Sequence, residues 1–230
     1  NKYLSSFSKK IFLAKKITAN FPEKYKNKTY EVGSILSKNI INSSSFKKNN
    51  DKKKFSILVL GGSQGAEIFG KIIPKVVKMI KDEGHEIEIN QQCTIGQKNS
   101  LIDFYKKNNI KNYIFEFDKN ILKLILSSNI AVTRCGASTT AELAYTFTPF
   151  IAVPLPNSID NHQYLNAKYY ENKGCCWLLE QSNFNVENLF NLIIETIKSE
   201  NKLVNIRENM KKNYSENVYS NIENEIKEFI

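Results

Sequence analysis

Short apolar runs and helix-spaced apolar positions alternate along most of this chain. Ser56-Ile57-Leu58-Val59-Leu60 is a continuous apolar run of strand length, stopped by Gly61-Gly62. Such runs belong to strands covered on both faces, as in parallel sheets. Ile68, Phe69, Ile72, Ile73, Val76, Val77 and Ile80 then recur at helical spacing over 66–81, where Pro74 predicts a kink or a helix restart. The same alternation continues with strands at 86–91, 113–117, 129–133, 150–153 and 175–179. Helices are expected between and after them at 98–107, 120–127, 138–145, 161–173 and 185–199. Six rounds of strand and helix predict βαβ units in an α/β, doubly wound parallel sheet over 55–200. Two more helices are expected at 203–213 and 215–229.

The first part of the chain reads differently. Ile11-Phe12-Leu13 between lysines is a strand candidate, and 30–36 is a second extended piece interrupted by Gly33. Residues 37–54, rich in Asn, Ser and Lys, read as a linker or long loop. Asn1 to Ser6 carry no initiator Met and no apolar leader segment, and read as the continuation of a longer chain.

Composition narrows the partners. Apolar residues make up 41% and charged residues 24%, the balance of a globular domain, and no apolar run has the length of a membrane span. The net charge of +10 comes from scattered lysines, with Arg134 and Arg207 as the arginines. Lys, Asn and Ile are what an AT-rich coding sequence over-supplies. No basic face interleaved with aromatic residues emerges, so nucleic acid is not an expected partner. The cluster Lys47, Lys48, Lys52, Lys53 and Lys54 fits a solvated loop first and an anionic membrane surface or nucleic acid second. Cys93, Cys135, Cys175 and Cys176 form no CxxC pair, and His85 and His162 are the histidines, so no metal site and no cofactor are expected.

Chemistry in a doubly wound sheet sits in the loops after the strands. Gly61-Gly62-Ser63-Gln64-Gly65-Ala66 joins a strand to a helix. It lacks the spacing of a dinucleotide fingerprint and the Lys-Ser/Thr ending of a P-loop, and it fits a phosphate site and a plain tight turn equally. Arg134-Cys135-Gly136-Ala137-Ser138-Thr139-Thr140-Ala141-Glu142 has the same layout. Its amides at Ala137, Ser138 and Thr139 would form an anion nest, and Glu142, a turn further in, could accept two hydrogen bonds from ribose hydroxyls. The alternative makes Ser138 an N-cap and Glu142 an ordinary first-turn acid. The segment from Val153 to Ala167 ends a strand on two prolines and opens a helix with Asn161, His162 and Gln163. Amides suit sugar hydroxyls, but on this segment alone a capping Asp160 or Asn161 with solvated His162 and Gln163 is the leading account. Cys135 as a nucleophile has only His162 as a possible base, and no catalytic triad is evident.

In this order, the three loops resemble the MurG family of undecaprenyl-diphospho-muramoylpentapeptide β-N-acetylglucosaminyltransferases, glycosyltransferase family 28. The resemblance runs from Asn1 through the C-terminal helix. It implies a GT-B fold of two Rossmann-like halves, of which this chain would hold the C-terminal donor-binding one. Residues 1–37 would be the tail of the acceptor domain, 38–54 a linker, 55–200 the donor domain and 201–230 helices returning toward the acceptor domain. The activity implied is inverting transfer of N-acetylglucosamine from UDP-GlcNAc to the undecaprenyl-linked acceptor, at the cytoplasmic face of the bacterial inner membrane, with an anionic membrane surface as partner.

By position, Ser63 matches a diphosphate contact, and Asp118 matches a backbone contact to the uracil edge. Ala137, Ser138 and Thr139 match donors to the diphosphate and sugar, with Thr140 and Ala141 in the same motif. Glu142 matches the ribose acid and Gln163 the amide on the sugar, with Gly62 and Gly136 as flanking candidates. The family's linker Arg falls on Ser37, beside Lys38 as a substitute charge. No catalytic residue is expected in this chain. A non-catalytic UDP-sugar-binding subunit with a separate membrane partner, and a UDP-sugar epimerase of the same fold, are the alternatives.

Overall fold

A computed structural model describes residues 3–15, 21–42, 54–62, 67–214 and 218–227. Six parallel strands form its main sheet: β3 (Phe55–Leu60), β4 (Ile87–Gln92), β5 (Lys111–Phe115), β6 (Ile130–Thr133), β7 (Phe150–Ala152) and β8 (Trp177–Leu178). They lie in the order β5-β4-β3-β6-β7-β8. Between them run α3 (Glu67–Asp82), α4 (Lys98–Lys107), α5 (Ile121–Ser127), α6 (Ala137–Tyr145) and α7 (His162–Glu171). The chain then closes with α8 (Val186–Lys198), α9 (Glu200–Tyr214) and α10 (Val218–Ile226).

The continuous apolar strands divide by the pleat. Ile57, Val59, Ile130 and Val132 point into one core with Phe69, Ile73 and Val77 of α3, Tyr105 of α4 and Leu189 of α8. Leu58, Leu60, Ala131 and Ala152 point into the other with Leu143 of α6, Tyr170 of α7 and Met210 of α9. β3, β6 and β7 therefore carry apolar residues at successive positions, because helices cover both faces, whereas β4 alternates and β5 starts polar. Pro74 does not divide α3, which runs unbroken from Glu67 to Asp82. Its ring is buried beside Ile73, Val76 and Val77, and that packing holds both turns in one rod despite the missing N–H.

The amino-terminal part forms a separate layer. It comprises α1 (Leu4–Phe7), β1 (Ile11–Leu13), β2 (Thr29–Glu31) and α2 (Lys38–Asn42). β1 and β2 pair in parallel, with Phe12 opposite Tyr30. The first five residues of the expected linker are thus helical, and Ile40 packs on Leu36 and on Ala141 of α6. The rest of that linker, with Lys47, Lys48, Lys52 and Lys53, lies outside the described residues, whereas Lys54 pairs with Glu88. Helix α10 is tied to the amino-terminal layer. Lys10 Nζ donates to Glu225 Oε2 at 3.0 Å, Tyr219 Oη to the Leu36 carbonyl at 3.1 Å, and Asn221 Nδ2 to the Val32 carbonyl at 3.3 Å.

All four cysteines are buried thiols. Among the described residues no helix is long and apolar enough to cross a membrane, and no cluster of three or more His, Cys, Asp or Glu has metal-binding geometry.

Candidate functional site

The strand order reverses direction between β3 and β6, which are neighbours in the sheet. The chain leaves β3 for α3 on one face and leaves β6 for α6 on the other, so their loops part and open a crevice. This crevice has a volume of about 830 Å³, and its walls include Gly61, Gly62, Arg134, Gly136, Gln163 and Gln181. Gly62 sits at φ +78°, a left-handed conformation that lets the chain turn sharply out of β3.

The start of α6 forms one wall, through Ala137, Ser138 and Thr139. Gly136 occupies the N-cap, which corrects the reading of Ser138 as the cap. The Thr140 amide makes its bond to the Gly136 carbonyl at 3.1 Å. The amides of Ala137, Ser138 and Thr139 lie ahead of that bond and have no intrahelical acceptor. Together with the helix dipole they favour an anion at this wall. Thr140 and Ala141 do not join them. Thr140 is fully buried, its hydroxyl donating back to the Gly136 carbonyl at 2.9 Å, and Ala141 packs under Leu36 and Ile40.

Glu142 lies one turn further along α6 and faces a second groove of about 800 Å³, whose walls include Ile40, Asn120, Ile121 and Leu122. No side chain of the described residues pairs with its carboxylate. Partial burial pushes its pKa up, because nothing nearby compensates the lost hydration. The start of α6 walls the first hollow, and the same helix meets the second at Glu142.

Two polar side chains set the shape of the crevice. Gln163 Oε1 accepts from the Cys135 amide at 3.0 Å and from the Leu155 amide at 3.1 Å. It therefore joins the loops after β6 and β7, and its Nε2 is left as the group to meet a ligand. Asp160 and Asn161 both take positive φ, 50° and 53°, in the turn that delivers Gln163. Ser158 Oγ, and not Asp160 or Asn161, accepts from the first turn of α7, at the Gln163 amide. His162 is exposed, with Nδ1 2.7 Å from the Ile159 carbonyl.

Arg134 is buried. Its Nη1 donates to the carbonyls of Val153 and Pro154 at 3.2 and 3.1 Å, and its Nη2 to Gln181 Oε1 at 2.5 Å. The guanidinium lies 5.1 Å from the Phe69 ring centroid. Burial lowers its pKa from an ordinary value far above neutrality.

The remaining expected residues divide. Ser63 lies outside the described residues. Asp118 binds the Asn120 amide through Oδ1 at 2.6 Å, an Asx turn that delivers Asn120 and Ile121 to the second groove. Lys38 is exposed on α2, and its neighbours Ser37 and Asn39 line that groove instead. The cations of the crevice wall are Lys71 of α3 and Arg134. Lys71 lies on the helix face one turn past Glu67, and the sequence offered no signal for it beyond that spacing. Cys135 is fully enclosed and its thiol is pushed up to about 12 by burial, so it is no nucleophile.

The family model described as the glycosyltransferase family 28 C-terminal domain matches residues 56–225. The chain belongs to glycosyltransferase family 28. It is 34% identical over 223 residues to the UDP-N-acetylglucosamine–N-acetylmuramyl-(pentapeptide) pyrophosphoryl-undecaprenol N-acetylglucosamine transferase of Pelagibacter ubique. That alignment covers 96% of this chain and 62% of the relative. The Rickettsia bellii protein of the same name is 36% identical over 220 residues, covering 94% of this chain and 62% of its own length. The crystal structure of Acinetobacter baumannii MurG superposes with a TM-score of 0.76 at 21% identity, over 98% of this chain and 63% of that one. The fold of this family 28 chain is therefore that of the corresponding part of MurG, and the chain spans less than two thirds of these relatives.

Proposed function

We propose that this chain is the donor-binding part of an inverting N-acetylglucosaminyltransferase that moves N-acetylglucosamine from UDP-GlcNAc to an undecaprenyl-diphospho-linked muramoylpentapeptide. The observation that carries this is that α6 meets two hollows, one walled by its N-terminal residues and Gln163 and the other by the unpaired carboxylate of Glu142. Diphosphate meets the amides of Ala137, Ser138 and Thr139. The ribose hydroxyls donate to Glu142, the uracil lies along Asn120 to Leu122, and the sugar extends toward Gln163 Nε2. The names of the Pelagibacter and Rickettsia relatives support the donor sugar and the acceptor lipid.

Inversion needs one in-line attack by the acceptor hydroxyl, with a base to take its proton. The base belongs to the acceptor side, in the part of the relatives that this chain does not span. The chain's own contribution is positioning, together with stabilisation of the departing diphosphate by amides already oriented before the reaction. In this reading residues 1–37 are the tail of the acceptor domain, the C-terminal helices return toward it, and the enzyme works at an anionic membrane surface that the net charge of +10 favours.

Titration calorimetry of the chain with UDP-GlcNAc, UDP and ADP tests the reading. Saturable binding of the two uridine ligands, with ADP much weaker, is expected. Equal affinity for ADP, or no binding of UDP-GlcNAc, would overturn it.

A further inference from the structure

Lys15 follows β1 in the amino-terminal layer and is only 9% exposed. Its Nζ donates to Asn166 Oδ1 at 2.9 Å and lies 4.4 and 5.0 Å from the ring centroids of Tyr170 and Tyr169. Asn166 stands on α7 one turn past Gln163. Its Nδ2 donates to the Cys135 carbonyl at 3.0 Å. Both polar groups of Cys135 are thus held by amide side chains of one helix, the N–H by Gln163 and the carbonyl by Asn166. Cys135 immediately precedes Gly136, the N-cap of α6. A continuous line of hydrogen bonds therefore runs from the ammonium of Lys15 to the start of α6 and to the amide of Gln163.

Burying an ammonium is costly, and an apolar side chain would fill the same space without that cost. What the ammonium adds is direction. It fixes Asn166 with its oxygen toward Lys15 and its nitrogen toward Cys135. We propose that Lys15 is a positioning residue for the donor crevice, holding the Cys135 peptide through Asn166 and with it the α6 amides and Gln163. This rests on the donor-site reading above and adds to it a link between the amino-terminal layer and donor affinity.

The surroundings of Lys15 give the proposal a pH signature. Burial brings its pKa down to about 8, and the neighbouring Lys173 adds to the lowering. Among the described residues, groups facing it include Cys135, Cys176, Tyr169, Tyr170 and Lys173, with Glu31 beyond Tyr169. Burial pushes both thiols and both phenols up, so they stay neutral when Lys15 loses its proton. Above a pH of about 8 the folded chain releases a proton that the unfolded chain keeps up to its ordinary value near 10.5. Stability from this group rises with pH across that window, while the charge-assisted bond to Asn166 is lost. Donor affinity and stability are thus expected to move in opposite directions.

The test is calorimetric titration of the 230-residue chain with UDP-GlcNAc, from neutral pH to well above the Lys15 pKa, with thermal unfolding measured on each variant. Lys15→Met is expected to weaken binding about tenfold at neutral pH, the worth of one charge-assisted hydrogen bond, without lowering the unfolding temperature. Its affinity is expected to be independent of pH where the wild type weakens. Lys15→Arg is expected to restore neutral-pH affinity and to hold it to higher pH. In an Asn166→Ala background Lys15→Met is expected to cost nothing further. A Lys15→Met chain that binds as the wild type does, or that loses as much affinity with Asn166 removed as with it present, overturns the proposal and leaves the donor-site reading standing. A wild-type chain that binds no UDP-GlcNAc overturns both.

Discussion

Replacing Glu142 by Ala separates binding from stability. In the free chain this carboxylate is half-buried, faces the groove beside Ile121 and Leu122, and has no partner among the described side chains. Burial has raised its pKa without a compensating cation or donor. The desolvation cost is therefore present before the ligand arrives, and the ribose hydroxyls meet an acceptor already stripped of much of its water. Each hydroxyl-to-carboxylate bond contributes about 1.5–3 kcal/mol. Allowing for non-additivity, loss of both costs about 3 kcal/mol, or about 100-fold in the Kd for UDP. The unfolding temperature should stay level or rise, since an unpaired buried charge has gone. Calorimetry with UDP and 2′-deoxy-UDP supplies the decisive comparison. The wild type should bind the deoxy ligand about tenfold more weakly than UDP, and the Ala variant should scarcely distinguish them. An Ala variant that binds UDP within threefold of the wild type, or that keeps the full deoxy penalty, would refute the ribose assignment.

Other perturbations are expected to have distinct signatures. Gln163→Glu keeps an oxygen for the Cys135 and Leu155 amides but removes the amide donor, so melting should change little while UDP-GlcNAc binds about tenfold more weakly and UDP hardly changes. Arg134→Met strips the donors from the Val153 and Pro154 carbonyls and from Gln181, and urea unfolding should register a loss of about 2–4 kcal/mol that Arg134→Lys does not recover. Because the Glu142 pKa is raised, UDP affinity should begin to fall on acidification at a higher pH than an ordinary carboxylate allows; the fall should vanish in Glu142→Gln, and the same group should make the free fold more stable as it takes up its proton. Lys71→Ala should weaken UDP binding a few-fold at low salt and not at high salt, as an exposed cation does.

The strand-and-helix alternation was legible because β3, β6 and β7, inside the sheet, are apolar at successive positions, while β4 alternates with the period of a strand. Leu58 and Val59 alike had a helix to meet, so the run read as a parallel strand without further information. The loops after those strands followed from the sheet, and with them Gly62, Gly136, Ser138 and Gln163 at one crevice. Strand β5 was misplaced by two residues, beginning at Lys111 and not at Tyr113. It is an edge strand, paired among the described residues only with β4, so its polar start carries no apolar signature. Thr140 and Ala141 were grouped with the site because the motif is contiguous in sequence, whereas a helix that starts at Ala137 turns those two inward. The work of Gln163 and Arg134 in binding backbone groups of other loops depends on contacts 8 to 47 residues apart, to which local periodicity is blind.

A crystal structure of the chain soaked with UDP-GlcNAc tests the central claim most directly. The account predicts the diphosphate on the amides of Ala137, Ser138 and Thr139, the ribose hydroxyls on Glu142, and the sugar beside Gln163 Nε2. A diphosphate bound away from the start of α6, or a ribose that leaves Glu142 without a partner, would contradict it.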